Sequence, residues 1–163
     1  MDAKNMPLLP LFTNLFLEVY TQELYAKKIF QKMAPKITTP ELSKALHPEQ
    51  TEIENQIKRL KLVNLELKKN KIALKGASVS ILHRPQTPIK DRALDLYFIV
   101  QSQQLLQAHI VNYRLLIQLA PEMELVHSID LFNQSINDKK TTLTWLDNIA
   151  QRVISNEQII VSA

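Results

Sequence analysis

Apolar residues recur at spacings of three and four in four stretches of the chain, which is the repeat of a single helix face. The first stretch runs from about Leu11 to Met33 on Phe12, Phe16, Val19, Ala26, Phe30 and Met33, and Pro35 closes it. The second opens at TTPEL. Thr38 or Thr39 can cap there, Pro40 suits the first turn, and Glu41 favours the positive helix end. Its stripe is Leu42, Leu46, Ile53, Ile57, Leu60, Val63 and Leu67, and it fades in KKNK. The third, from about Asp91 to Ala120, is apolar on most sides, with Leu94, Phe98, Leu105, Leu106, Ile110, Tyr113 and Leu116, which predicts a well-buried helix. Pro121 ends it and can start the fourth, about Glu122 to Val153, on Leu125, Ile129, Phe132, Ile136, Leu143, Leu146, Ala150 and Val153. Residues 70–90 are too long for a tight turn. Gly76, Pro85 and Pro88 punctuate them, a short helix around Ala77 to His83 is expected, and the length allows a crossing from one end of a bundle to the other. The expected architecture is all-α: an antiparallel four-helix bundle over residues 11–153, between tails 1–10 and 154–163.

Composition sharpens this picture. One glycine in 163 residues leaves few positions for the positive-φ turns that hairpins and βα loops need. With no cysteine, disulfides, thiolate metal sites and cysteine nucleophiles are excluded, and the chain fits a cytoplasmic setting. No apolar run approaches the roughly 18 residues of a membrane span, and MDAKNMPLLPLF, with its early Asp and two prolines, is a poor signal peptide. Net charge is +4, concentrated in Lys58, Arg59, Lys61, Lys68, Lys69, Lys71 and Lys75. That run reads first as a solvated helix end. Weak association with nucleic acid is the lesser reading, because no aromatic residues are interleaved for base stacking.

Several polar residues interrupt the apolar stripes. Glu23 falls between Val19 and Ala26; Glu49 falls on the apolar side of the second stretch, inside HPEQTEIENQ, with Glu52 following. His109 lies among Leu105, Leu106, Ile110 and Tyr113, while Asp138 and Lys139 separate Ile136 from Leu143. A buried unpaired charge is costly, so each needs a partner or an exposed position. Helical bundles hold metal with carboxylates and imidazoles projecting inward from facing helices. His47, His83 and His127 have no such setting. Phosphate loops, serine elbows and zinc-protease spacings are absent.

The stretch LFLEVYTQELYAKKIFQKMAPKITTPELSKALHPEQTEIENQIKRL resembles the YciE/YciF-like family of ferritin-like proteins. The matching features are Tyr20 with Glu23 after it, the TPEL helix start, and a Gln-Ile-x-Arg-Leu pattern carried by Gln56, Ile57, Arg59 and Leu60 after Ile53. DRALDLYFIVQSQQLLQAHIVNYRLLIQLA and the final helix continue the likeness without gaps, so it covers about residues 11–153. The resemblance implies a ferritin-like bundle with a two-metal centre of iron or manganese held by Glu and His, in a stress-related role. Carried over position by position, Glu23 keeps the first ligand. The His-x-x-Glu of the second helix becomes Glu49 and Glu52. The Glu-His-Tyr-Glu run of the third becomes Leu106, Gln107, Ala108 and His109. Acidic positions of the fourth hold Gln134, Asp138 and Lys139. Leu106 cannot bind metal, and Lys cannot ligate while charged.

The leading expectation is a divergent bundle with a degraded or lost metal site, non-catalytic and carrying no cofactor. Lys139 would neutralise Glu23, Glu49 or Glu52, and the chain would bind a partner, a second copy of itself included, with no membrane association. The alternative is a working di-iron or di-manganese protein with oxygen or peroxide chemistry, ligated by Glu23, Glu49, Glu52, His109 and Asp138, a donor set suited to those metals.

Overall fold

The computed structural model describes residues 6–74 and 90–162, with the side chains of the last helix described to residue 155. Six α-helices are present among the described residues: α1 (Leu9–Met33), α2 (Pro40–Ala45), α3 (Pro48–Thr51), α4 (Ile53–Lys69), α5 (Asp91–Leu119) and α6 (Val126–Ser162). The expected short helix around Ala77 to His83, together with Gly76 and Lys75, lies outside the described residues. Helix α6 starts later than the sequence suggests, because Pro121 falls in a 3-10 turn (Ala120–Met123) that ends at Glu124 in the left-handed region. It also runs on through ISNEQIIVS, where no apolar period announced a helix.

Two apolar clusters show how the helices are stacked. Phe12, Phe16 and Val19 of α1 meet Leu60, Val63 and Leu67 of α4, Ile110, Tyr113 and Leu116 of α5, and Phe132 and Ile136 of α6. Further along, Ala26, Phe30 and Met33 of α1 meet Ile53 and Ile57 of α4, Ile99, Leu105 and Leu106 of α5, and Leu146, Ile149 and Val153 of α6. The first cluster takes the early part of α1 and α6 but the late part of α4 and α5. Hence α1 and α6 run one way and α4 and α5 the other, so that the end of α4 and the start of α5 lie at opposite ends of the bundle. Helix α1 packs on α4 and α5, and so does α6. This is the all-α, ferritin-like arrangement, with its long connection between the second and third long helices.

The second stretch is not one helix. It ends at Ala45, and His47 is extended (φ −62°, ψ 142°). Pro48 then takes the first position of the new helix α3, where its missing N–H costs nothing. The His47 ring accepts a hydrogen bond from the Glu49 backbone N–H at 3.3 Å, so this histidine is a cap. A second break follows at Glu52, whose φ of 57° is left-handed. Each break rotates the chain, and the seven apolar residues Leu42, Leu46, Ile53, Ile57, Leu60, Val63 and Leu67 all stay buried.

Thr39 is the N-cap residue of α2 by its backbone, but its hydroxyl does not cap. Instead both Thr38 and Thr39 give their backbone N–H and their hydroxyl to the carboxylate of buried Asp95 on α5, at 2.5 to 3.1 Å. Asp95 therefore fastens the start of α2 to α5. Leu94 and Phe98, expected on the inner face of α5, are half-buried, and Asp95, Ile99 and Ser102 point inward in their place. Nor is α5 buried on all sides: Val100, Val111 and Leu115 are exposed. Replacing Asp95 with Ala strands these donors and is expected to lower stability by about 2–3 kcal/mol, read as a shift in urea midpoint. A loss below roughly 0.5 kcal/mol would mean that the four bonds do not hold α2 in solution.

Candidate functional site

A layer of polar side chains separates the two apolar clusters. Glu23 lies between Val19 and Ala26 on α1, Gln56 is beside Ile57 and before Leu60 on α4, His109 lies between Leu106 and Ile110 on α5, and Lys139 lies beyond Ile136 on α6. Each is placed there by its helical register, one turn from a buried apolar neighbour. All four are shut off from solvent: Glu23 and His109 are 0% exposed, Gln56 and Lys139 1%.

The Lys139 ammonium is 2.6 Å from Glu23 Oε1. It also donates to Gln56 Oε1 at 2.8 Å, and the Gln56 amide N–H donates in turn to the Thr51 carbonyl at 2.8 Å. The Tyr113 hydroxyl donates to Glu23 Oε1 at 2.9 Å, and the ammonium lies 5.9 Å from the centre of the Tyr113 ring, within cation–π range. His109 Nδ1 is 3.6 Å from the same carboxylate oxygen. Glu23 Oε2 and both ring nitrogens of His109 have no hydrogen-bond partner. Three unpaired buried polar atoms at one spot are unusual in a close-packed interior.

The electrostatics follow from this geometry. Burial pushes the Glu23 carboxyl up, but the Lys139 ammonium and the hydrogen bonds from Lys139 and Tyr113 prevail and hold it below the usual carboxylate value. Burial pushes the Lys139 ammonium down, against the opposing pull of Glu23. Burial, reinforced by Lys139 and opposed by Glu23, brings the His109 imidazole down to about 3, so it is neutral at physiological pH. Tyr113 is pushed well above its ordinary value by burial and by Glu23, which keeps it a hydrogen-bond donor.

The structure brings together only part of the residue set that the sequence suggested. Glu23, His109 and Lys139 converge. Glu49 is exposed, and Glu52, half-exposed at the helix break, accepts from Asn55 on its own chain segment. Both line a surface cavity of about 410 Å³ with His47, Pro48, Glu54, Asn55 and Lys58, outside the bundle core. The rotation at Pro48 and at Glu52 is what turns them outward. Asp138 leaves the core as well: it pairs with Arg59 of α4, which also reaches Ser135. Leu106 is packed in the second apolar cluster, and Gln134 is exposed.

A two-metal carboxylate centre needs several anionic oxygens around two ions. In this layer there is one carboxylate and one neutral imidazole, and a cation already lies within hydrogen-bond distance of that carboxylate. Among the described residues, no group of three or more His, Asp or Glu could hold a metal ion. The donor set does not fit a two-metal group. Gln56 and Tyr113 were not singled out as site residues from sequence. Gln56 was in view as part of the Gln-Ile-x-Arg-Leu pattern, and the structure gives that pattern its meaning: Gln56 reaches Lys139, and Arg59 reaches Asp138, both on α6.

A family profile described as a domain of unknown function (DUF892) matches residues 8–159. Among solved structures, the chain is similar to the E. coli stress protein YciF, with a TM-score of 0.74, 20% identity, and coverage of 90% of this chain and 96% of that one. It is likewise similar to YcfI from Rhodopseudomonas palustris, with a TM-score of 0.68, 21% identity, and coverage of 90% and 98%. At these identities the likeness establishes the fold. No curated protein matches the chain. Among the described residues, no helix is long and apolar enough to cross a membrane.

The neutral His109 sets a pH dependence whose sign is fixed. Its folded value of about 3 lies below the ordinary 6.5, so the unfolded chain binds a proton that the folded chain refuses between these values. Stability is therefore full above about pH 6.5 and falls with acidification, by up to ~1.4 kcal/mol per pH unit from this residue. Glu23 acts in the same direction at lower pH: its folded value is depressed, so its contribution is present above 4.5 and is lost as pH falls through that depressed value. Urea unfolding at pH 7 and pH 5 is expected to show wild type losing about 2 kcal/mol, and His109→Gln losing much less. Equal losses in the two proteins would mean that His109 is not buried in its neutral form.

Proposed function

The chain belongs to the family described as a domain of unknown function (DUF892), and from that premise we propose that it is a non-catalytic ferritin-like bundle in which an ammonium stands where its relatives' fold would hold metal. The observation that carries this reading is the position of Lys139, 2.6 Å from Glu23 at the centre of the polar layer. An ammonium there balances the charge of the carboxylate without any metal ion and repels one that enters. With Glu49, Glu52 and Asp138 directed elsewhere, the remaining donors cannot surround two metals, so oxygen or peroxide chemistry has no support from the side chains. The E. coli stress protein YciF shares the fold, and we read this chain as stress-related in the same broad sense, acting through contact with other proteins. The outer face of α5 favours that role: Val100, Gln104, Gln107, Ala108 and Val111 are all exposed, and none carries charge. Depletion of charge on a surface of this kind, where apolar residues alternate with uncharged polar ones, is a mark of protein contacts.

The reading is tested by metal content. The protein, expressed with iron and manganese supplied and purified without chelator, is expected to be helical and nearly metal-free; about two ions per chain would overturn the proposal. The ion pair itself is tested by a mutant cycle. Lys139→Met leaves the Glu23 charge buried and uncompensated, so it is expected to cost about 3–5 kcal/mol, whereas Glu23→Gln together with Lys139→Met should recover most of that loss. If Lys139→Met alone leaves the denaturant midpoint unchanged, the ammonium does not balance Glu23.

A further inference from the structure

The outer face of α4 carries a seam that its packing in the bundle leaves open. Lys58, Leu62, Leu65 and Lys69 follow one another at spacings of four, three and four residues, so they fall on one line along the helix. All four are exposed, Leu62 at 52% and Leu65 at 58%. Lys61 and Lys68, exposed as well, flank that line on one side. A single exposed leucine is ordinary on any protein surface. Two in the middle of one line, with a cation at each end, make a continuous feature about 16 Å long. Its charge is not neutralised from within: among the described residues, none of these four lysines belongs to an ion pair. The acids of α4 nearest to it are engaged elsewhere, Glu54 with Lys27 of α1 and Glu66 with the Ser128 hydroxyl of α6.

We propose that this face of α4 docks an acidic amphipathic helix of another protein, which sets apolar side chains against Leu62 and Leu65 and carboxylates against the four lysines. The two sets of side chains select the occupant together. A phosphate backbone would satisfy the lysines and leave the leucines in water. An anionic bilayer would take both, but it has no use for the four-three-four line, which is the spacing that a second helix reads. A second copy of this chain is opposed by charge. Laid against itself, α4 sets Lys58 against Lys69 in the antiparallel sense and each lysine against its own copy in the parallel one. The partner helix therefore needs about three turns, with apolar residues at three and four spacing and Asp or Glu on its flanks. Helix α4 lies diagonally across the bundle from α5, each packing on α1 and α6. The surface is thus separate from the uncharged face of α5. The inference goes beyond the reading above and depends on neither the ion pair nor the metal content of the core.

The test uses a labelled synthetic peptide of three heptads, with Leu at a and d and Glu at e and g, whose own charge keeps it from pairing with itself. Fluorescence anisotropy with the whole chain is expected to show saturable binding that weakens as salt rises. Leu62→Asp with Leu65→Asp is expected to weaken it by about tenfold or more, and Lys68→Glu with Lys69→Glu by a similar factor. These positions are exposed, so both variants should keep the circular dichroism of wild type. Val100→Asp with Val111→Asp, on α5, should leave binding unchanged. The same peptide with Lys in place of Glu, or with Ser in place of Leu, should bind more weakly by about tenfold or more. A wild-type chain that ignores the acidic peptide, or binding that survives the α4 substitutions, would overturn the proposal. Equal binding of the Ser peptide would do so too, since charge alone would then explain the contact. Phosphatidylglycerol vesicles or duplex DNA bound more tightly than the peptide, and lost in the same variants, would give the face to a different partner and overturn the proposal. So would a wild-type dimer that Leu62→Asp with Leu65→Asp makes monomeric.

Discussion

The contact between the Lys139 ammonium and the Glu23 carboxylate is the constraint around which the bundle is arranged. A lone carboxylate at full burial would give up its proton only at great cost, or keep it. A lone ammonium there faces the mirror problem. Placed together they tolerate each other, and the rest of the layer finishes the work. Tyr113 gives its hydroxyl to Glu23, and Gln56 offers its oxygen to Lys139. One helix supplies each member: α1 the anion, α6 the cation, α4 the amide and α5 the phenol. The layer therefore fixes the register of all four long helices at one height. Apolar packing above and below it is less specific, because volume-conserving exchanges among Leu and Ile cost little.

Burial of this pair is not by itself a source of large stability, since removing two charges from water offsets most of their attraction. What it does impose is a penalty on alternatives. Shifting α6 by one residue would expose Lys139 to apolar neighbours and strand Glu23. The neutral His109 fits the same logic: beside an ammonium, and sealed from water, its ring cannot accept a second proton near pH 7. Its two ring nitrogens and Glu23 Oε2 have no hydrogen-bond partner, and they mark the spot where the layer is least complete.

Much of this was legible in the sequence, and the parts that were not have identifiable reasons. Phe12 through Met33, and Leu42 through Leu67, read correctly as buried stripes, because side-chain burial survives even where the helix axis breaks. Glu23, His109 and Lys139 stood out because they interrupt such stripes, and Lys139 could be offered as a counter-ion because the family resemblance sets it at an acidic position. The left-handed turn at Glu52 was not legible, since nothing in a glutamate announces a positive φ. Without it, Glu49 and Glu52 keep the helical phase that would aim them inward. Asp95 was missed for a different reason. Its four donors come from Thr38 and Thr39, far away in sequence, and a carboxylate near a helix start is ordinarily solvated. The extension of the last helix to Ser162 escaped notice because its residues lack an apolar period, the one signal available for it.

The proline and carboxylate in HPEQTEIENQ now have a physical account. A helix that must present ligands one turn apart to a metal has to run unbroken through them, because a break changes the phase of everything after it. Here the cation arrives from α6 on a long flexible side chain, and nothing in the core requires Glu49 or Glu52. The chain is then free to stop at His47, restart at Pro48 and turn again at Glu52. These interruptions leave helix-end carbonyls without partners, among them that of Thr51. Gln56 supplies the missing donor to Thr51 while its oxygen holds Lys139. One amide therefore closes the broken helix and anchors the ammonium at once, so the break and the ion pair depend on each other.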